Sequence, residues 1–275
     1  MLPHWTHNDY TTDHTTLHYV RTSPPGSGKP PLVLAHGFSD DGLCWAPTAR
    51  ELQDRFDVIL PDAIGHGRSQ RVERGQKTDM PANLAGLMRG LGLAPAVLAG
   101  HSMGAVVAAQ VAARYPEQVR ALILEDPAWF LPAAGQTPGR GIGEDSPLGA
   151  WIKSLQGLTP DQVVEKLRPE HPTWSEDALR PWCEAKTRLD LNFLTTQDTS
   201  WEDWRSVAGK IQCPVLLITA DNDKGGIVSP ELAHMAVGIN PRIRVAHIPG
   251  AGHHVRFEQY PAYMAALRSF LAEIG

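Results

Sequence analysis

Cysteine is scarce in this chain of 275 residues: there are three, Cys44, Cys183 and Cys213, an odd number spread far apart. None stands in a C-x-x-C pair. Neither a thiolate metal site nor a disulfide framework is indicated, and buried free thiols are the expectation. An excess of positive charge is also missing. Lys and Arg number 25 against 30 Asp and Glu, for a net charge of −5. With no basic run, there is no electrostatic case for nucleic acid or an anionic membrane surface as partner. No apolar stretch is long enough to span a bilayer. The first ten residues lack the basic start and apolar centre of a secretory signal, so a cytoplasmic protein is expected. No heptad stretch or internal repeat occurs. What is present is 42% apolar and 20% charged residues, ordinary for a globular chain. The length allows one substantial core with a small insertion.

Apolar runs punctuated by turns organise the chain. Alternation over Thr15 to Thr22 predicts an early edge strand. Further strands are predicted at Pro31–Ala35, Phe56–Pro61, Ala96–Ala99, Val119–Leu124, Pro214–Thr219 and Arg242–Ile248. Helices are predicted at Trp45–Leu52, Met80–Gly90, Ala105–Tyr115 and Pro261–Ile274. Continuous apolar strands alternating with helices indicate an α/β protein whose mostly parallel sheet is covered on both faces. The pattern breaks after Asp126. Residues 128 to 206 hold no apolar strand run, only turns and two short helices near Asp161–Leu167 and Glu176–Arg188. Six of the eight tryptophans fall there: Trp129, Trp151, Trp174, Trp182, Trp201 and Trp204. An insertion between two core strands reads as a lid over a core of residues 1–127 and 207–275. Most of its tryptophans should fill the lid's own small core, with one or two lining a pocket.

Gly100-His101-Ser102-Met103-Gly104 is a G-x-S-x-G sequence lying between a predicted strand and a predicted helix. That is the setting a nucleophile elbow needs. The tight turn forces the serine into a strained backbone conformation and presents its hydroxyl at a helix N-terminus, where the dipole favours negative charge. A base is then required. Gly250-Ala251-Gly252-His253-His254 follows the last strand, at the same sheet edge as Ser102. His253, directly after the turn glycines, is preferred over His254.

Taken with His36-Gly37-Phe38 and Pro61-Asp62-Ala63-Ile64-Gly65-His66-Gly67-Arg68-Ser69, these segments resemble the α/β-hydrolase superfamily over nearly the whole chain. The resemblance implies an eight-stranded, mostly parallel sheet, often with a lid after the sixth strand. It implies an oxyanion hole from the backbone N–H groups of Phe38 and Met103, which suits a tetrahedral intermediate with charge on one oxygen. It assigns Asp62 and His66 to loop-fixing hydrogen bonds. The acid that supports an imidazole base has two candidate places. One follows the seventh strand, where Asp223 fits by counting from the strand end but the count back from Ile227 falls on Gly225. The other ends the sixth strand, as in haloalkane dehalogenases and zearalenone-type lactone hydrolases, and falls on Asp126. Asp126 is preferred, Asp223 is the alternative and Asp221 comes third. Glu125 should point away from Asp126, since strand side chains alternate.

The expectation is a serine hydrolase of a carboxylic ester or lactone, working through an acyl-enzyme on Ser102 with no metal or organic cofactor. A serine rather than an aspartate at the nucleophile position argues against dehalogenase and epoxide hydrolase chemistry. The aromatic insertion favours an apolar or aromatic small molecule. C–C bond hydrolysis and perhydrolysis stay open on the same fold, as does a ligand-binding receptor that retains the motif. The protein is expected to be a monomer or homodimer.

Overall fold

A computed structural model describes residues 5–12, 15–129, 143–200 and 202–275. Eight strands form one sheet: β1 (Thr6–Thr11), β2 (Thr16–Arg21), β3 (Pro31–Ala35), β4 (Asp57–Pro61), β5 (Ala96–His101), β6 (Val119–Glu125), β7 (Val215–Thr219) and β8 (Ile243–His247). Their spatial order is β1-β2-β4-β3-β5-β6-β7-β8. The β1–β2 and β2–β4 pairs are antiparallel and the remaining pairs parallel.

The run at Thr15–Thr22 is not the edge strand it reads as. It forms β2, and β1 lies outside it. Only half-buried or exposed positions occur in β1, whose sequence is Thr-His-Asn-Asp-Tyr-Thr. A polar edge of this kind resists pairing with other chains, and it gives no apolar signal. The middle strands are apolar at successive positions because both faces are covered. Val33, Ile59 and Leu98 face a core built with α2 (Met80–Gly90) and α3 (Met103–Arg114). Leu34, Val58 and Val97 face a second core built with α1 (Ala46–Leu52) and a C-terminal helix, Tyr260–Glu273.

Between β6 and β7 the described chain holds α4 (Pro147–Lys153), α5 (Pro160–Leu167), α6 (Glu176–Arg188) and α7 (Trp204–Lys210). Thr159 and Gln162 form a capping box at the start of α5, satisfying N–H groups that a helix start leaves unpaired. Leu155, Val163, Leu167, Trp174, Leu179 and Trp182 make a small core for this segment. That core rests on Cys44 and Phe257 of the main body. Helix α7 spans position 206, the expected end of the insertion, and its Trp204 belongs to the main core, stacked on Trp129 with ring centroids 4.9 Å apart. Trp201 lies outside the described residues. The chain continues with α8 (Pro230–Ile239) after β7, then α9 (Val255–Glu258) and α10 (Tyr260–Glu273) after β8. No helix among the described residues is long and apolar enough to cross a membrane.

Register determines what meets at the carboxyl edge. Ala35 pairs with Gly100, His101 with Glu125, and Glu125 with Ile218. Ser102 and Asp126 are the next residue on each of two neighbouring strands, and Ser102 N–H still donates to Glu125 C=O at 3.0 Å.

Candidate active site

Ser102 sits at φ +53° and ψ −116°, between β5 and the first residue of α3. For a residue with a side chain this is a strained conformation. The flanking glycines permit it. A Cβ on Gly100 would run into the Gly104 carbonyl, and one on Gly104 into the carbonyls of Ala35 and His36. The half-buried Ser102 hydroxyl makes no hydrogen bond among the described residues. Among the described residues two other non-glycine residues have left-handed backbone, Ser39 at φ +60° and Asp126 at φ +40°. All three border the same edge of the sheet.

His253 and Asp126 are brought together: Nδ1 stands 2.6 Å from Asp126 Oδ2. Asp126 is fully buried. Its carboxylate also accepts from Ile227 N–H at 2.9 Å and Val228 N–H at 3.0 Å. A carboxylate with these backbone donors accepts a hydrogen bond from the Nδ1–H of His253, which leaves Nε2 as the free lone pair. Asp223 lies elsewhere. It is exposed in the short turn Asn222–Lys224 and has no hydrogen bond or ion pair with His253 among the described residues. The loop after β7 thus meets the site through two N–H groups of its backbone. Asp221 braces that loop instead, accepting from Gly250 N–H at 2.8 Å and pairing with His247 at 3.1 Å. The Gly250 hydrogen bond, chiefly, holds its carboxyl below the ordinary range.

Neither the Phe38 nor the Met103 N–H has a hydrogen-bond partner among the described residues. Met103 N–H is one of the donors a helix start leaves unpaired. The Phe38 ring packs with Ile152, Leu189 and Leu194, and Met103 and Trp151 border the same cluster. Apolar residues of the insertion thereby cover the loop after β3 and the elbow. Asp62 accepts from Gly42 N–H and Arg68 N–H, both at 2.8 Å, and His66 Nδ1 donates to Ile64 C=O at 3.0 Å. Burial pushes the Asp62 carboxyl up and the His66 imidazole well down. Both hold the loop after β4.

Several contacts around the site are not read from the sequence. His101 Nε2 donates to the His253 carbonyl at 2.9 Å, tying the elbow to the base segment. Glu125, facing away from Asp126, accepts from Arg256 N–H at 2.9 Å and from Arg256 Nη1 at 3.1 Å. His254 is buried among Trp174, Trp182 and Phe257. Burial, then the neighbouring His253, keeps its imidazole well below the usual range. The position of His101 inside the G-x-S-x-G sequence was the one available hint. Among the described residues no group of three or more His, Cys, Asp or Glu side chains is arranged to hold a metal ion.

The strand order, the elbow and the histidine after the last strand define a class, the α/β hydrolases. The sequence model of the Alpha/beta hydrolase family matches residues 32–267, and the chain belongs to that family of enzymes. It is 29% identical over 259 residues to N-formylmaleamate deformylase of Pseudomonas putida, covering 92% of each chain. It is 27% identical over 256 residues to 2-(acetamidomethylene)succinate hydrolase of Mesorhizobium japonicum, covering 90% of this chain and 89% of the relative. The crystal structure of E-2-(acetamidomethylene)succinate hydrolase superposes with a TM-score of 0.77 over 98% of this chain and 100% of that one, at 24% identity. The enol-lactonase of Burkholderia xenovorans LB400 superposes with a TM-score of 0.75 over 96% and 100%, at 21% identity. These relatives are named as a deformylase, a hydrolase and an enol-lactonase.

Proposed function

We propose that this chain is a serine hydrolase that cleaves a carboxylic ester or lactone through an acyl-enzyme on Ser102. The observation that carries this reading is the 2.6 Å contact of His253 Nδ1 with buried Asp126, beside a strained serine at a helix start. With Nδ1–H donating to Asp126, His253 Nε2 takes the proton as Ser102 Oγ attacks the carbonyl carbon. The hydroxyl engages Nε2 as substrate closes the site, since catalytic hydrogen bonds tighten in the Michaelis complex. The free N–H groups of Phe38 and Met103 receive the charge that develops on the carbonyl oxygen. Collapse of the tetrahedral intermediate expels the alcohol, which takes the proton from His253. Water, activated by the same imidazole, then releases the acid and restores Ser102.

The helical insertion acts as a lid, and the surface it brings against Phe38 and Met103 is apolar: Trp151, Ile152, Leu189 and Leu194. The two cations at the end of α6, Lys186 and Arg188, are taken by Asp40 and Asp41. This favours a neutral apolar or aromatic substrate over the acidic compounds for which the succinate and maleamate relatives are named. Those relatives favour a second reading, hydrolysis of an acyl C–N bond by the same steps, with nitrogen as the leaving atom.

Incubation with p-nitrophenyl butyrate and with a fluorophosphonate tests the mechanism. Turnover and labelling are expected from the native chain. Both should be absent from a Ser102→Ala variant with an unchanged circular dichroism spectrum. A folded native chain that neither turns over nor labels would overturn the reading. A panel of apolar lactones, aryl esters and N-acyl enamines then ranks the two bond types.

A further inference from the structure

Beneath the proposed site runs a chain of four buried side chains of alternating charge. It begins at Glu125, next to Asp126 on the strand, whose carboxylate grips Arg256 through the backbone N–H and Nη1. Arg256 Nη2 lies 3.7 Å from Asp40 Oδ2. Asp40 Oδ1 accepts from Lys186 Nζ at 2.6 Å. None of the four residues is more than 2% exposed. The members come from four different parts: the acid strand, the helix after the base, the loop after Phe38, and helix α6 of the lid.

Asp40 depends on the lid. Lys186 is the only hydrogen-bond donor to its side chain among the described residues, and Oδ2 has none. The His101 imidazole, 4.0 Å away, adds no charge, because burial and then the positive Arg256 keep it neutral. Lys186 Nζ also donates to the Ser39 carbonyl at 3.3 Å. One ammonium therefore holds both residues that follow Phe38, including Ser39 in its left-handed conformation. A buried ion pair is a poor device for stability alone, since apolar residues of similar size usually serve as well or better. The rest of the buried face of α6 uses such residues, Leu179, Trp182 and Cys183.

We propose that Lys186 is a positioning residue supplied by the lid. Docking of α6 delivers its ammonium to Asp40 and Ser39 and so fixes the Phe38 N–H as an oxyanion donor. The inference rests on the serine-hydrolase reading for its effect on rate, and on the geometry alone for its effect on the loop.

The test compares the native chain with Lys186→Met, Lys186→Arg and the double variant Asp40→Asn/Lys186→Met, using p-nitrophenyl acetate and amide hydrogen exchange. Misplacing a group by about 1 Å costs on the order of 100-fold in rate. Lys186→Met should therefore lose about 100-fold in kcat, with KM within about threefold, and exchange at residues 37–41 should rise. Lys186→Arg keeps the charge and should lose less. The double variant removes the unpaired charge but still lacks the ammonium, so it should keep most of the loss in kcat. A Lys186→Met variant with native kcat and native exchange at residues 37–41 would overturn the proposal, as would a loss confined to KM. Should Lys186→Met fail to fold, the double variant carries the test through exchange: raised exchange at residues 37–41 in a folded double variant supports the proposal, and native protection there refutes it. A native chain that neither hydrolyses nor labels would count against the serine-hydrolase reading, while exchange at 37–41 still decides whether Lys186 holds the loop.

Discussion

Asp126 combines features that are individually costly: zero exposure, a left-handed backbone at φ +40°, and a carboxylate shared among Ile227 N–H, Val228 N–H and His253 Nδ1. Such a residue persists only where its surroundings over-determine it. Asp126→Asn should lower kcat by about 10⁴, the scale found when a triad acid is made neutral and the histidine tautomer is no longer set. Asp223→Asn, on an exposed turn, should change kcat less than about twofold. Steady-state kinetics on p-nitrophenyl butyrate checks the ranking, and equal losses would remove Asp126 from the role. The sequence leaves this choice open for a physical reason. A G-x-S-x-G turn is a local requirement, met within five residues. The partner of His253 depends on where two loops far apart in sequence come to rest. The donors that complete Asp126, Ile227 and Val228, act through backbone, which leaves no mark on side-chain type. Glu125, Asp40 and Lys186 are equally illegible, because a charged residue in a sequence gives no sign that it will be buried.

The elbow is the element whose sequence and geometry agree most closely. Strand β5 is buried throughout, α3 begins at Met103, and the two glycines are where backbone comes too close for a side chain. Gly104→Ala should destabilise the fold by about 1–3 kcal/mol, the usual scale of overpacking, since its methyl group meets backbone that cannot rotate away. Gly238 in α8 has open space around the position of a Cβ. Gly238→Ala should raise stability by roughly 0.5–1 kcal/mol from helix propensity. Urea midpoints for the two variants should move in opposite directions, and a fall for both would show that helix propensity is not what governs position 238. Elements buried on both faces were legible because burial writes continuous apolar runs. β1 was not, being a polar edge. α8 escaped because a run of Ala, Met, Val, Gly and Ile can be read several ways. Its start is marked by Ser229, whose hydroxyl accepts from Leu232 N–H at 3.2 Å, and by Pro230 at the first helical position.

Across the whole molecule, burial of imidazoles sets a pH dependence of stability. His66, His101 and His254 are all held well below the ordinary histidine range, each chiefly by burial. In the unfolded chain they take up protons near pH 6.5, while in the folded chain they stay neutral. The unfolded state then binds more protons, and stability rises with pH, by about 1.4 kcal/mol per pH unit for each histidine once the pH is below that value. Asp62 and Glu125 act the other way. Burial raises both carboxyls, so they contribute a loss of stability as pH climbs from about 4 through their raised values. Two carboxyls at full effect cannot cancel three imidazoles. The thermal midpoint should therefore rise between about pH 5 and pH 6.5. Replacing His101 by Gln keeps a side-chain donor for the His253 carbonyl and removes one titrating group, so it should make that rise shallower by about one histidine's share. Scanning calorimetry across this range decides the matter. A midpoint that is flat or falls from pH 5 to 6.5 would mean that these histidines carry protons in the folded chain.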